Sequence, residues 1–295
     1  MQQRVTLRVA SLFLALGLLS AAAPAAAATM PGVSVAPMEG APGTRFVVTG
    51  AGFAPNLALK VLVERGQVFG HTFDATADAT GWFQLIVDST GFAESPNYDV
   101  AVTPKGGGAL TSAPFAVSST INERCFDETG KCIRGRFLDY WNAHGGLAIN
   151  GFPLSDEFSQ VLDDGHPYAV QYFERVRMEY HPENADPQYQ VLLGQFGRVI
   201  HPADPPANPD QNMVWFPQTG HNVYGPFYQY WTMNGGLAQF GLPLSEPFNQ
   251  TLENGQQYLV QYFERARFEY HAENQPPYDV LLGQFGRRVY AGLER

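Results

Sequence analysis

The sequence predicts a multidomain chain, an N-terminal all-β sandwich followed by two tandem α+β repeat units. Each unit should combine a short helix with a β-hairpin and antiparallel strands. Two observations carry this reading. The stretch from Cys125 to Gly197 is spelled again from Trp215 to Gly286, with most aligned positions identical at a spacing of about 90 residues, so one structural unit is duplicated in tandem. Upstream, residues 31–118 hold β-branched and aromatic runs with period-two alternation between Gly, Pro and Asp turns.

The chain of 295 residues has room for two or three domains, each with its own core. The expected layout is a signal peptide over 1–28, the sandwich over 31–118, a first repeat over 121–200, a Pro-rich linker over 201–212 and a second repeat over 213–295. Hydrophobic residues make up 45% and charged residues 16%, a globular composition with a largely uncharged polar surface. Aromatics reach 13%, enough to fill cores and still leave rings exposed for stacking on sugars or anchoring a partner. A net charge of −10 argues against nucleic acid and against an anionic membrane, both of which favour a basic surface.

The first residues read as an export signal. Arg4 and Arg8 precede a short apolar run from Leu12 to Leu19, and Ala26-Ala27-Ala28 offers cleavage near Ala28. That run is too short to span a bilayer, and no Cys follows it for a lipid anchor. The expectation is an extracytoplasmic protein (secreted, periplasmic or cell-surface) without a membrane span. In such a compartment Cys125 and Cys132 should form a disulfide across the turn-like Glu128-Thr129-Gly130-Lys131. Trp215 and Asn222 occupy the matching positions of the second copy, so the bridge is optional to the unit and structural in character. Two thiols are too few for a zinc site, and no metal or cofactor is expected.

In the sandwich, strands are expected at Arg45–Thr49, Leu57–Glu64, Trp82–Asp88 and Tyr98–Thr103, among about seven in all. Four prolines between His201 and Asp210 predict an extended, semi-rigid strap. Within each repeat, Phe137, Tyr140 and Trp141, and again Phe227, Tyr230 and Trp231, recur at helical spacing. Pro226 sits where a helix begins, and the glycine pairs Gly145-Gly146 and Gly235-Gly236 should end each helix. Their place on the apolar face makes Trp141 and Trp231 core anchors. Ser155 and Ser245 lack the Gly-x-Ser-x-Gly elbow of a nucleophile and are expected to cap a helical turn. Asp163-Asp164-Gly165 and Glu253-Asn254-Gly255 read as hairpin turns.

The strand expected over Tyr172–Tyr180 is the most informative part of the unit. Alternation puts Tyr172, Glu174, Val176, Met178 and Tyr180 on one face, and Phe173, Arg175, Arg177, Glu179 and His181 on the other. The second copy repeats this through Tyr270 and His271, so Glu174 and Glu264 each fall on an apolar face, where a carboxylate needs partners. They are read as structural carboxylates that accept backbone N–H groups or pair with arginine. A β-bulge turning them outward and a glycosidase-type general acid are the rival readings. Duplication favours structure, since a catalytic group is needed once and a structural one in every copy. No catalytic residue is therefore assigned. Gln171, Arg177, Glu179 and His181, with Gln261, Arg267, Glu269 and His271, form a dense donor and acceptor set suited to sugar hydroxyls. A metal site on the same strand is the weaker reading, because His181 runs straight into a turn.

Two resemblances add to this. Gly43-Thr44-Arg45-Phe46-Val47-Val48-Thr49-Gly50-Ala51-Gly52-Phe53-Ala54-Pro55 resembles the immunoglobulin-like IPT/TIG group, where "GT-x-hydrophobic-TG-x-GF-x-P" is common. It implies an immunoglobulin-like sandwich acting as a spacer or adhesive module. Thr219-Gly220-His221, Val223, Gly225, Trp231, Gly235-Gly236-Leu237 and Gly241-Leu242-Pro243 are similar to the LGFP repeat of exported actinobacterial proteins. The first copy carries Thr129-Gly130, Gly135, Trp141, Gly145-Gly146-Leu147 and Gly151-Phe152-Pro153. That likeness implies a non-catalytic module associated with the cell wall or envelope polysaccharide. The expected function is an exported, non-enzymatic binding protein for cell-wall or extracellular polysaccharide. A secreted glycan or peptidoglycan hydrolase using Glu174 or Glu264, and a protein–protein adhesion scaffold, are the alternatives.

Overall fold

The computed structural model describes residues 30–293 except 67 and 109. The expected signal peptide and its cleavage position lie outside the described residues. The fold is mostly β, 40% strand and 17% helix, in several antiparallel sheets.

The first part holds β1 (Gly32–Ala36), β2 (Glu39–Gly40), β3 (Arg45–Ala51), β4 (Ala58–Arg65), β5 (Phe69–Thr76), β6 (Phe83–Asp88), β7 (Ser95–Pro104) and β8 (Thr111–Val117). They form a three-stranded sheet, β1-β3-β6, and a five-stranded one, β2-β8-β7-β4-β5. Alternation decides which side chains go inside. Leu59, Val61 and Val63 of β4 are fully buried, while Ala58 and Lys60 on the other face are exposed and Leu62 is half-buried. Both sheets contribute to one core around Phe46, Val48, Val100 and Phe115, each such side chain contributing about 1.5–3 kcal/mol on burial.

The first repeat runs through β9 (Glu123–Phe126), β10 (Lys131–Arg134), α1 (Gly135–Ala143), α2 (Gly146–Asn150), β11 (Phe158–Val161), β12 (Pro167–Tyr172), β13 (Arg177–Tyr180), β14 (Val191–Leu193) and α3 (Phe196–Ile200). The second repeats the order as β15 (Val214–Phe216), β16 (His221–Val223), α4 (Gly225–Met233), α5 (Gly236–Phe240), β17 (Phe248–Thr251), β18 (Gln257–Tyr262), β19 (Arg267–Tyr270), β20 (Val280–Leu282) and α6 (Phe285–Leu293). A hairpin opens each unit. In the first, Cys125 and Cys132 are register partners joined by the disulfide. In the second, Trp215 and Asn222 hold the same register without one. A four-stranded antiparallel sheet follows, β11-β12-β13-β14 or β17-β18-β19-β20. Trp141 and Trp231 anchor the helices, each donating its indole N–H to the carbonyl of Gly151 or Gly241 at 3.0 and 2.9 Å.

Three local expectations need correction. Gly145 ends α1 in the left-handed region, φ 77°, but the chain then starts a second short helix at Gly146. Ser155 caps no helical turn. Its hydroxyl accepts the Tyr172 N–H at 3.0 Å, and Phe158 opens a strand. The strand expected over Tyr172–Tyr180 is two strands. Phe173 N–H bonds the Val176 carbonyl at 2.8 Å, and Tyr172 pairs with Arg177, so Glu174 and Arg175 form a turn. No Gly, Asn or Pro marks it, because its geometry is imposed from outside the segment. Glu174 N–H donates to the Phe152 carbonyl and Arg175 N–H to that of Asn150, at 3.0 and 3.2 Å. The second copy repeats the turn at Glu264-Arg265, against Leu242 and Phe240. Tyr172 therefore does not share a face with Met178 and Tyr180, which belong to a different core.

The repeats are not beads on a string. Each sheet packs one face on its own helices and the other against the opposite repeat, so Val170, Tyr172 and Phe196 share a core with Leu244, Val260, Tyr262 and Phe285. The contacts are reciprocal. The rings of Tyr290, within α6, and Tyr172 lie 5.0 Å apart, and His201 after α3 stacks on Tyr262 at 4.2 Å. The Pro-rich strap lies along the second repeat, where Asp204 and Ala207 donate to the carbonyls of Leu244 and Gly220, both at 2.8 Å.

The sandwich also docks on the first repeat. Ala36 and Met38 enter that repeat's core beside Ile133 and Trp141. Ser34 donates to the Ser159 hydroxyl at 3.0 Å, and Met38 N–H to the Glu157 carboxyl. Gly32 admits the approach, since a Cβ there would lie 2.7 Å from the His166 ring.

Candidate functional site

Of the residues offered as a sugar-binding face, Glu179, Arg267, Glu269, His271 and both glutamines are buried, and Arg177 and His181 are half-buried. Gln171 and Gln261 are 1% and 0% exposed. The Gln171 amide donates to the carbonyls of Cys132 and Ser155 at 2.8 and 2.9 Å, and that of Gln261 to Asn222 and Ser245 at 2.7 and 2.9 Å. Each glutamine thus ties the opening hairpin to the loop before the four-stranded sheet.

Arg177, Glu179 and His181 do share a face, as alternation along β13 requires, but that face is turned inward. Arg177 donates to Glu179 Oε1 through Nε and Nη2 at 2.8 and 2.6 Å and to the Tyr172 hydroxyl at 3.0 Å. Its guanidinium stands over the Phe196 ring at 5.4 Å. Burial opposes the charge, yet Glu179 outweighs it and raises the arginine pKa. The second copy is more enclosed: Arg267, Glu269 and His271 are all buried, and Arg267 also reaches Glu253 at 3.0 Å. The His181 ring lies between two carboxylates, 3.3 Å from Glu179 and 2.8 Å from Glu183. Burial disfavours its cation, but those two partners prevail and push the pKa up to about 9. This arrangement separates carboxylates by a charged ring rather than converging them on an ion. Among the described residues, the potential metal-binding side chains that do converge are Glu123, Cys125 and Cys132, and both sulfurs are bonded to each other.

Glu174 and Glu264 occupy equivalent places in the repeat–repeat contact. Glu174 accepts Phe152 N–H at 3.3 Å and Arg287 of the second repeat's α6 at 2.5 Å. Glu264 accepts Leu242 N–H at 3.0 Å and Arg198 of the first repeat's α3 at 2.5 Å. The backbone completes each clasp. Arg198 N–H donates to the Glu264 carbonyl at 3.3 Å and Arg287 N–H to that of Glu174 at 3.0 Å. Each carboxylate therefore joins its own turn to the helix of the other repeat.

Folding the repeats together creates a cleft of about 810 Å³. One wall is the outer face of α1, with Arg136, Asp139, Tyr140 and His144; the loop Pro187–Gln190 forms another, and Leu237 and Arg265 of the second repeat close it. Tyr140 and His144, one helical turn apart, stack with ring centroids 3.8 Å apart and planes 12° from parallel. Arg136 donates to the Gln190 side chain at 3.2 Å. Arg265 is fixed across the interface by the Leu193 carbonyl at 3.2 Å. Burial pushes the Tyr140 phenol up to about 12 against the opposing charge of Arg265, so it is a neutral hydrogen-bonding group at physiological pH. Tyr189 is 53% exposed at the rim. Flat rings with polar groups at their edges can hold a sugar ring by its C–H face and its hydroxyls.

Sequence reasoning placed Tyr140 on the helical core face and passed over His144 and Tyr189. Two signals were present: the i, i+4 spacing of Tyr140 and His144, and the recurrence of Tyr189 as Tyr278 before each Gly-Gln-Phe-Gly.

No family model and no curated protein matches this chain. Among solved structures, the chain is similar to macromomycin at 21% identity and a TM-score of 0.24, over 30% of this chain and 100% of that one. It is also similar to a tetra-tandem repeat in the extending region of a large adhesion protein, at 20% identity and a TM-score of 0.25. That match covers 32% of this chain and 25% of the adhesion protein's.

Proposed function

We propose that this is an exported, non-enzymatic protein that binds cell-wall or extracellular polysaccharide in the cleft between its two repeats. The observation that carries the reading is the stacked Tyr140–His144 pair, which lines a polar-edged cleft together with exposed Tyr189. The commitment of Glu174 and Glu264 to arginine and backbone donors supports a binding rather than a hydrolytic role. The IPT/TIG-like motif fits an immunoglobulin-like sandwich that presents the repeats, and the LGFP-like motifs fit attachment to an envelope polymer. The disulfide and the lack, among the described residues, of a helix long and apolar enough to cross a membrane are compatible with an extracellular site of action.

The test is sedimentation of the protein with insoluble wall fractions and polysaccharides, alongside Tyr140→Ala and Tyr189→Ala. Retention should fall at least tenfold in both variants; exposed Tyr189→Ala should keep the parent's unfolding temperature, and circular dichroism checks that Tyr140→Ala, whose ring packs against the first repeat's core, is still folded. Retention of the parent no better than that of an inert acidic protein would refute the reading.

A further inference from the structure

A second cavity, of about 570 Å³, lies where the sandwich meets the first repeat. One side is formed by β1, by Asp99 of β7 and by Thr111–Pro114 of β8; the other is formed by His166–Ala169, Tyr180, Pro182 and Glu183. Ligand sites occur preferentially at such domain junctions. Ala36 and Met38 seated in the repeat's core hold the two sides together, so the cavity is built into the docked fold.

Pro114, Pro167, Pro182 and the Tyr168 ring give the cavity apolar walls, while Asp99 and Glu183 supply carboxylates and His166 an imidazole; no Lys or Arg lines it among the described residues. Glu183 is already engaged, 2.8 Å from His181. Among the described residues no cation pairs with Asp99. Its register partner on β4 is Glu64, so two acids stand directly opposite on neighbouring strands, an arrangement that is destabilising without a counter-charge. Burial holds the Asp99 carboxyl above its usual range, with Ser112 opposing and Glu64 adding to the shift. A cation placed against Asp99 would relieve both the burial and the repulsion. A bare divalent ion fits poorly, since it needs six or more oxygen ligands and the walls are mostly ring carbon. A cation on an apolar stem fits better, with the stem against proline and tyrosine and the charge at the acid.

We propose that this interdomain cavity binds a lysine-type alkylammonium side chain, its methylene stem against Pro114, Pro167 and Tyr168 and its ammonium at Asp99. The site is separate from the cleft between the repeats and stands whether or not that cleft binds glycan.

The test is calorimetric titration of the protein with Nα-acetyl-lysine methylamide, its norleucine counterpart and glucosamine. Saturable binding of the lysine compound is expected, at least tenfold tighter than the other two, and at least tenfold weaker in Asp99→Asn. Circular dichroism melting shows whether that variant is folded, and Tyr168→Ala should also weaken binding. Tyr140→Ala, in the other cleft, should leave it unchanged. Equal affinity for lysine and norleucine compounds, unchanged binding in folded Asp99→Asn, tighter binding of glucosamine, or no saturation by about 10 mM lysine compound would each overturn the proposal.

Discussion

Replacing Gly197 by alanine probes whether the two repeats are one folded body. A Cβ at Gly197 would lie 1.7 Å from the Phe263 carbonyl oxygen and 2.8 Å from the Glu264 carbonyl carbon. Those are backbone atoms, and the turn that carries them is pinned by Glu264 N–H to Leu242 and Arg265 N–H to Phe240, both at 3.0 Å. The turn cannot yield, so α3 must move away. Forced separation in a packed interface costs about 1–3 kcal/mol. Losing the Arg198 N–H bond to the Glu264 carbonyl adds about 1 kcal/mol. The Arg198–Glu264 ion pair, with its arginine half exposed, adds about 0.5 kcal/mol at most. The expected loss is about 2–4 kcal/mol, roughly 5–15 °C in Tm for a body of this size. Urea unfolding followed by tryptophan fluorescence measures it. Gly286→Ala is the internal control, because its Cβ would lie 1.9 Å from the Phe173 carbonyl oxygen. The two variants should match within about 1 kcal/mol, and each should unfold both repeats in one transition, since Val170, Tyr172, Val260 and Tyr262 share one core. A loss below about 0.5 kcal/mol, or one repeat melting while the other persists, would refute the clasp.

Other consequences follow from the same contacts. The folded His181 pKa of about 9 exceeds the unfolded value near 6.5, so its contribution is full below about pH 6.5 and disappears as pH rises through about 9. His181→Gln should abolish a decline of about 2–3 kcal/mol over that window, and denaturation at pH 6.5 and 9.5 checks it. Burial at the docking surface, with Glu39 nearby, pushes Glu157 up to about 8 against the Met38 N–H. Its contribution is full below about pH 4.5 and is lost as pH rises through about 8, so the protection of the Met38 amide against exchange, corrected for the intrinsic rate, should fall over that range in the parent and not in Glu157→Gln. Cys125→Ser with Cys132→Ser opens a loop with a sequence separation of 7 and should cost about 2.5 kcal/mol. Far-ultraviolet circular dichroism should stay the same, because the second copy keeps the hairpin with Trp215 opposite Asn222; an unfolded double variant would contradict this.

Much of the local structure was legible because local physics decides it. Period-two alternation in Leu59-Lys60-Val61-Leu62-Val63 needs only a sheet with one buried face, and Phe137, Tyr140 and Trp141 need only a helix against a core. The turn at Glu174-Arg175 was not legible, since its backbone is held by Asn150 and Phe152, more than twenty residues away. Gln171 and Arg177 look like surface groups by composition, yet Gln171 is buried between its sheet and its own opening hairpin, and Arg177 is half-buried on the face that meets the other repeat. The cleft was hidden for the same reason: Tyr140 and Leu237 are almost a hundred residues apart and meet only when the repeats pack.

By itself, then, the sequence determined the β-rich sandwich, the duplicated unit and the cysteine pairing, all of which follow from short-range pattern and from repetition. The tertiary structure alone decided that the repeats share a core and clasp each other through Arg198, Glu264, Arg287 and Glu174, and that the sandwich docks on the first of them. Both outcomes depend on which apolar faces find each other across long stretches of chain, and no local pattern encodes that choice.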